Sequence, residues 1–353
     1  PVNGDRFHVD PFVSYPLVSA FGYLTPKLQI SETKYQLTQL GHLTNKSPNL
    51  ALPIFDVHGG LTFDRDFSLF HSHDMPPLEP EFFYLYVPYR NQNNLPIFDT
   101  FSQTFTYPVM FEDNRFTGID RIGDANQMTF AVSSRFVDAD TGLQRAKFSI
   151  GDILYFRNRD VQLCNRNKSA TCGRLTSFDT RRFSPIAGQA TYDVSRYWSG
   201  SLAATWSPYR HKFDYGNASV AYRHDLTHLL NINYSFVSSD QGDDLQELQS
   251  AGTSGYWVLH RHWALIGGWN HQWGTVNGNT YLAGLGYQSY CWGMRFALLR
   301  SINRLDNSDK FQYNTSVYLQ FVLKGLGGVS NANISNELEN YISGYVDHFT
   351  DVD

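Results

Sequence analysis

Any chemistry in this chain would have to start from its histidines, carboxylates and cysteines, the side chains that hold metals, move protons or form covalent bonds. His71-Ser72-His73-Asp74 sets two imidazoles at i and i+2, a spacing that on a strand turns both to one side as a metal pair. The adjoining Pro76-Pro77 instead marks this stretch as a solvated connection. His260 and His262 share a face, and His224 and His228 flank a turn; imidazoles at an interface or facing an inner space are the simpler account of both pairs. No G-x-S-x-G, H-E-x-x-H or phosphate-binding loop occurs. The densest polar constellation is Asp120, Arg121, Asp124 and Asn126, preceded by Asn114 and Arg115. Two roles suit it: lining a polar passage, or fixing a re-entrant loop by hydrogen bonds with Gly118 and Gly123 as its tight points. Neither needs a metal or a cofactor, and none is expected.

Three cysteines do not define a disulfide framework by themselves. Cys164 and Cys172 lie eight positions apart in a polar stretch with no histidine nearby, so a local disulfide is expected there rather than a metal site. Closing so short a loop is worth ~2–3 kcal/mol through restriction of the open chain. Cys291 falls in a short turn.

The elements that must position these residues show in the hydropathy pattern. Charged residues make up 17% of the 353 and aromatics 16%, with 22 Tyr, 26 Phe and 7 Trp. Mean hydropathy is nevertheless −0.37, and no stretch approaches the ~20 apolar residues of a spanning helix. A β-barrel reconciles the two, because its strands alternate lipid-facing apolar residues with polar ones that face a wet lumen. Period-two alternation is plainest from Leu230, where Leu230, Ile232, Tyr234 and Phe236 interleave with Asn231, Asn233 and Ser235. It recurs at Trp263–Trp269, at Trp292–Leu298 and in a final strand carrying Phe311, Tyr313, Val317, Leu319 and Phe321 on one face. The fold class expected is all-β, an antiparallel transmembrane barrel with roughly 15 strands in this chain. Their spans are 6–18, 21–35, 51–66, 79–88, 128–138, 143–157, 183–194, 197–207, 211–223, 228–238, 247–257, 260–271, 278–288, 290–302 and 311–324.

Connection lengths alternate. Short turns fall at Asp138–Gly142, Ser195–Tyr197, His224–Thr227, Leu259–Arg261 and Gln288–Cys291, and mostly longer connections lie between them. Outer-membrane barrels keep short turns on the periplasmic side and long loops outside. That rule makes residues 1–324 the membrane part and 89–127 a long extracellular or lumen-directed loop. It leaves 325–353 as a periplasmic tail and puts Cys291 on the periplasmic side, where an inter-domain disulfide can form. A soluble sandwich or propeller is disfavoured by the Trp, Tyr and Leu on outward faces and by the lack of a fixed repeat. The net charge of −5, spread along the chain, argues against a nucleic-acid surface. Pro1 opens without a Met or signal-type segment, so the chain is expected to be processed or cut from a longer protein.

Two segments carry more than composition. Leu78-Glu79-Pro80 leads into Phe83-Tyr84-Leu85-Tyr86-Val87-Pro88-Tyr89-Arg90 and Pro96-Ile97-Phe98-Asp99; Asn114-Arg115-Phe116-Thr117-Gly118-Ile119-Asp120-Arg121-Ile122-Gly123-Asp124-Ala125-Asn126-Gln127 follows. Together they resemble the LptD family of lipopolysaccharide-assembly barrels. Cys291-Trp292-Gly293-Met294-Arg295-Phe296 and Lys324-Gly325-Leu326-Gly327-Gly328 extend the resemblance to the end of the chain.

The resemblance implies a barrel of about 26 strands, of which this chain is the C-terminal part, in the bacterial outer membrane. It implies lipopolysaccharide as cargo, an LptE-like lipoprotein plug in the lumen, and a periplasmic bridge reached through an N-terminal domain absent here. Acyl chains would leave through a lateral seam with Phe311–Leu323 as one lip, among outer-membrane lipids. The family pattern has two adjacent cysteines bridged to the N-terminal region. Tyr290 stands at the first of those positions and Cys291 at the second, which puts one of the two bridges in question. The function implied is transport and assembly, not catalysis. A general porin or nutrient channel is the alternative, and an outer-membrane lipase or protease ranks below it, because no Ser or Asp pairs with a His on one face near a rim.

Overall fold

The computed structural model describes residues 2–41, 43–63, 77–138, 141–163, 175–238, 247–260, 262–274, 277–305, 311–330 and 334–347. His71, His73, Cys164 and Cys172 lie outside them. Eighteen strands of the described residues belong to one sheet, and every strand pair with a defined register is antiparallel. No helix among these residues is long and apolar enough to cross a membrane. By contacts the chain divides into two units. One comprises Pro1–Ala190, Ala203–Gly216 and Val237–Gln246; the other comprises Thr191–Leu202, Asn217–Phe236 and Glu247–Asp353.

The first unit opens with β1 (Asn3–Val9), β2 (Phe12–Ser14) and β3 (Leu17–Ser19), all paired with the long β4 (Gly22–Gln39). The sequence reads 6–18 as one strand. The interruptions fall at Pro11 and Pro16, neither of which has an N–H to give the ladder. β5 (Asn49–Leu61), β6 (Leu78–Val87), β7 (Ala125–Val137) and β8 (Gln144–Tyr155) follow in antiparallel order. Phe55, Phe130, Val132, Phe148 and Ile150 are exposed on one face, while Leu52, Ile54, Phe83, Leu85, Ala131 and Ile153 are buried on the other.

β9 (Ile186–Asp193), β10 (Trp198–Ser207), β11 (Lys212–Asp225) and β12 (His228–Val237) have residues in both units. β13 (Leu248–His260), β14 (Trp263–Gly274), β15 (Gly278–Gln288), β16 (Trp292–Leu305), β17 (Phe311–Leu323) and β18 (Gly327–Ser330) complete the second. β18 returns along β17, pairing Leu323 with Gly327 and Gln320 with Ser330, in a stretch the sequence reads as tail. A helix α1 (Ser177–Thr180) precedes β9, and α2 (Ile334–Tyr341) follows β18.

In the second unit one face exposes Ile232, Leu265, Leu285, Met294, Leu298, Val317 and Leu319. At its short-turn ends the rings of Trp263, Tyr287, Trp292 and Phe321 follow one another at 4.9, 5.0 and 5.9 Å. Trp198, Tyr222 and Trp257 form a second chain of rings at 4.9 and 6.2 Å. At the other end of β14, His271 stacks on Trp273 at 5.3 Å. Trp263 and Trp273 share a strand face, and the ten steps between them at ~3.4 Å rise, tilted by ~40°, give a height of about 26 Å. That matches the ~25 Å apolar band between the aromatic girdles of a membrane barrel.

Candidate functional site

Between β6 and β7 the motif segment folds over the buried face of the first unit instead of leaving it. Leu95 and Ile122 join Tyr35, Leu37, Leu52, Ile54, Phe83 and Leu85 in one apolar cluster. Met110, in the 3₁₀ turn Pro108–Phe111, joins Tyr107, Ala131, Ile153 and Ala187 in another. The polar groups then hold the path of the loop. Asp120, fully buried, accepts from Arg6 Nη1 at 2.8 Å and from the Tyr35 hydroxyl at 3.0 Å. Its second oxygen accepts the backbone N–H groups of Phe98 at 2.7 Å and Asp99 at 3.2 Å. Arg6 also clamps Asp99 through both terminal nitrogens, at 2.8 and 2.9 Å, and that guanidinium holds the Asp99 carboxyl below the usual carboxylate range.

Arg121 lies 2% exposed and donates to the carbonyls of Leu95, Pro96 and Asp120 at 3.0, 3.3 and 2.8 Å. Burial presses its guanidinium down to about 10, so it stays charged at neutral pH. Asn114 bridges the Arg121 carbonyl and the Gly123 N–H at 2.8 and 2.9 Å. Arg115 meets the Asp124 carboxylate at 3.2 Å and its carbonyl at 2.8 Å. Asp124 in turn accepts the N–H groups of Asp160 and Val161 at 3.0 and 2.9 Å. Gly118 is required by shape, with φ +72°, whereas a Cβ on Gly123 would lie 2.4 Å from Arg115 Nη1 and so displace that guanidinium. Asn126 is half-buried and accepts from the Tyr84 hydroxyl at 3.2 Å. Asp120, Arg121 and Asp124 are buried and bond within the loop and its supports.

The second unit carries a comparable arrangement, which the sequence reading missed. Ile334, Leu338, Ile342 and Tyr345 pack with Leu229, Ile266, Leu282, Ala297, Leu299 and Tyr318 on the face opposite the exposed apolar one. The anchor is Arg295, 1% exposed in the middle of β16. It takes the Asp347 carboxylate through both terminal nitrogens at 3.0 Å each, the Tyr345 hydroxyl at 2.6 Å and Ser335 Oγ at 3.2 Å. Across the strand pair its Nε donates to Gln320 Oε1 at 3.1 Å. Asn231 Nδ2 reaches the Ser343 carbonyl at 2.9 Å. Beside this segment a cavity of ≈ 720 Å³ has a mixed lining: amides and hydroxyls such as Asn233, Thr253, Asn270 and Gln272 alternate with Leu282 and Ile302, and Glu339 is the charged side chain among the described residues there.

The remaining expected positions fall as follows. Tyr313, Val317, Leu319 and Phe321 are exposed on the apolar face of β17; Phe311 begins that strand and its side chain is not described. Cys291 is exposed with a free thiol in the turn between β15 and β16. His262 Nδ1 lies 2.7 Å from the Gln288 carbonyl, an ordinary turn contact. Arg6, Tyr35, Arg295, Ser335, Tyr345 and Asp347 are site residues that the sequence pattern did not single out.

A sheet that exposes one apolar face, belted by aromatic rings, and lays polar-anchored segments on the other is the wall of a transmembrane β-barrel of the outer-membrane type. A family model described as "LptD: LPS transport system D" matches residues 1–263. LPS-assembly protein LptD of Legionella pneumophila strain Philadelphia 1 is 34% identical over 98% of this chain and 43% of its own length. The Coxiella burnetii and Pseudomonas putida proteins of that name are each 33% identical, over 94% and 97% of this chain and 39% and 41% of their own. Among solved structures, a ferric enterobactin receptor of Pseudomonas aeruginosa aligns with 92% of this chain and 56% of its own at a TM-score of 0.47 and 9% identity. The chain belongs to the LptD family. It spans about two fifths of the length of the curated relatives it matches.

Proposed function

We propose that this chain is part of the wall of an outer-membrane barrel that delivers lipopolysaccharide to the outer leaflet. The observation that carries the reading, given the family, is the chemical contrast between the two faces of one sheet. Acyl chains need a continuous apolar surface, which Leu265, Met294, Leu298, Val317 and Leu319 supply. Sugars need hydroxyl and amide partners in a wet space, which the cavity at Asn233, Asn270 and Gln272 supplies. In this reading Phe311–Leu323 is one lip of a lateral seam, and residues 89–127 cap the lumen. Residues 1–324 form the membrane part. The tail after Lys324 enters from the periplasmic side. An LptE-like lipoprotein shares the lumen, and a periplasmic bridge delivers cargo through an N-terminal domain. Cys291, exposed in its turn, is the thiol through which such a domain is tied.

A photo-reactive phenylalanine placed at Asn233 or Asn270 of the full-length protein tests the reading in living cells. Irradiation should yield adducts that react with anti-lipopolysaccharide antibody at these positions, and at Val317 through acyl chains. Adducts at none of the three positions, in a barrel that assembles normally, would contradict it.

A further inference from the structure

The hairpin joining β11 and β12 brings together three donors that the function above does not use. His224, Asp225 and His228 each offer one ligand atom, and these atoms lie within 4.8 Å of one another. His224 Nδ1 is 3.2 Å from Asp225 Oδ2, and His228 Nδ1 is 2.9 Å from Asp225 Oδ1. In a tetrahedral zinc site with bonds of ~2.0–2.1 Å, neighbouring ligand atoms stand about 3.3 Å apart. The two histidine–aspartate spacings are already close to that.

His228 Nε2 lies 3.0 Å from the Val258 carbonyl, which can only accept, so Nε2 carries the proton. The ring's other nitrogen, Nδ1, lies 2.9–3.0 Å from the two Asp225 carboxylate oxygens. Thr227 Oγ1 has one proton to share between Asp225 Oδ1 at 2.7 Å and His228 Nδ1 at 3.0 Å. A ring whose second N–H is held by a backbone carbonyl is also the usual arrangement of a metal-binding histidine. Packing fixes both rings: His224 stacks on Tyr197 at 4.8 Å and 10°, and His228 meets Trp257 edge-on at 4.8 Å and 82°. His228 thus lies against Trp257, which stacks on Tyr222, while the cluster remains accessible, with His224 52% and Asp225 44% exposed.

We propose that His224, Asp225 and His228 form a binding site for a divalent metal of the zinc class, with water completing the coordination. Two imidazoles and a carboxylate suit zinc, copper or nickel and disfavour calcium and magnesium, which prefer all-oxygen shells. Bound there, the ion would tie the ends of β11 and β12 together.

The test uses the full-length protein, purified in detergent and stripped with chelator. Zinc is titrated calorimetrically, and cobalt(II) is followed by its visible spectrum. The wild type should take up one equivalent with the d–d bands of a nitrogen–oxygen site and without thiolate charge-transfer bands, which separates it from the cysteines. His228→Ala and His224→Ala should each weaken that uptake by more than the ~10–100-fold that a lost outer-shell partner costs. His224→Ala leaves the contacts of His228 with Thr227 and Val258 in place, so its effect does not depend on a disturbed turn. Retained heat-modifiable mobility on gels confirms that each variant is folded. Equal uptake by folded wild type and His224→Ala, or no uptake by the wild type, overturns the proposal.

Discussion

The motif loop of the first unit and the C-terminal segment of the second solve the same problem by different means. Each lays a segment outside the strand ladder on a buried sheet face and must satisfy the polar groups it buries there. The loop does so with a distributed network: Asp120, Arg121, Asn114, Arg115 and Asp124 bond mostly to the loop's own backbone. The C-terminal segment concentrates its polar attachment on one guanidinium, that of Arg295. A network built on backbone partners fixes a shape. A single side-chain anchor fixes a position and can be released as a unit.

The largest effect should come from Asp120→Ala. It strips a fully buried carboxylate from Arg6, Tyr35 and two backbone N–H groups, at an expected cost of ~3–5 kcal/mol. Urea unfolding of the detergent-folded barrel should show it as a lower midpoint, accompanied by protease cleavage within 89–127. Arg295→Ala should cost less, about 2–4 kcal/mol, because Asp347 is partly exposed and can turn to solvent once released. Its signature differs: proteolysis trims the C-terminus while the strands stay protected. If both variants were cut everywhere, the distinction between network and anchor would fail. Gly118→Ala should cost about 1 kcal/mol or more, from the left-handed backbone and the approach to the Asp99 carbonyl at 2.8 Å.

The two regions should also respond oppositely to pH. Burial, opposed by the Arg295 charge, holds the Tyr345 phenol above its usual range. Its contribution is therefore complete below the unfolded value of ~10 and is lost as pH rises beyond it. Asp99 is held low by Arg6, so its contribution is present above ~3.9 and is lost as pH falls below that. Limited proteolysis across pH should release the C-terminus on the alkaline side and loosen the loop on the acid side. Tyr345→Phe should flatten the alkaline limb. The smallest change, within ~0.5 kcal/mol in the same urea assay, is expected of Glu32→Gln, whose partner Lys34 is largely exposed.

The same contrast governs what could be read from the sequence. Strands with strict alternation, such as His228–Val237 and Trp292–Leu305, were legible because lipid on one side and polar groups on the other leave a period of two. The first strand was read as unbroken because the effect of Pro11 and Pro16 depends on pairing with β4. β18 carries Gly327-Gly328-Val329-Ser330, too short and too glycine-rich to alternate. The loop network stood out because its members crowd into 114–126. Its outer partner Arg6 lies 93 and 114 positions from Asp99 and Asp120, beyond the reach of local pattern. Arg295 did leave a trace: between outward Met294 and Phe296 it must face inward, where a lone charge demands partners. Which partners could not be read, since Asp347 is 52 positions away.

As part of an outer-membrane barrel, the chain is proposed to serve lipopolysaccharide assembly. The most direct test is a depletion–complementation experiment with the full-length protein containing it, supplied with its own lipoprotein partner, in cells depleted of their LptD. The account predicts that newly made lipopolysaccharide again reaches the cell surface. A protein that assembles in the outer membrane with that partner, yet leaves lipopolysaccharide inside, would contradict the account and favour a channel.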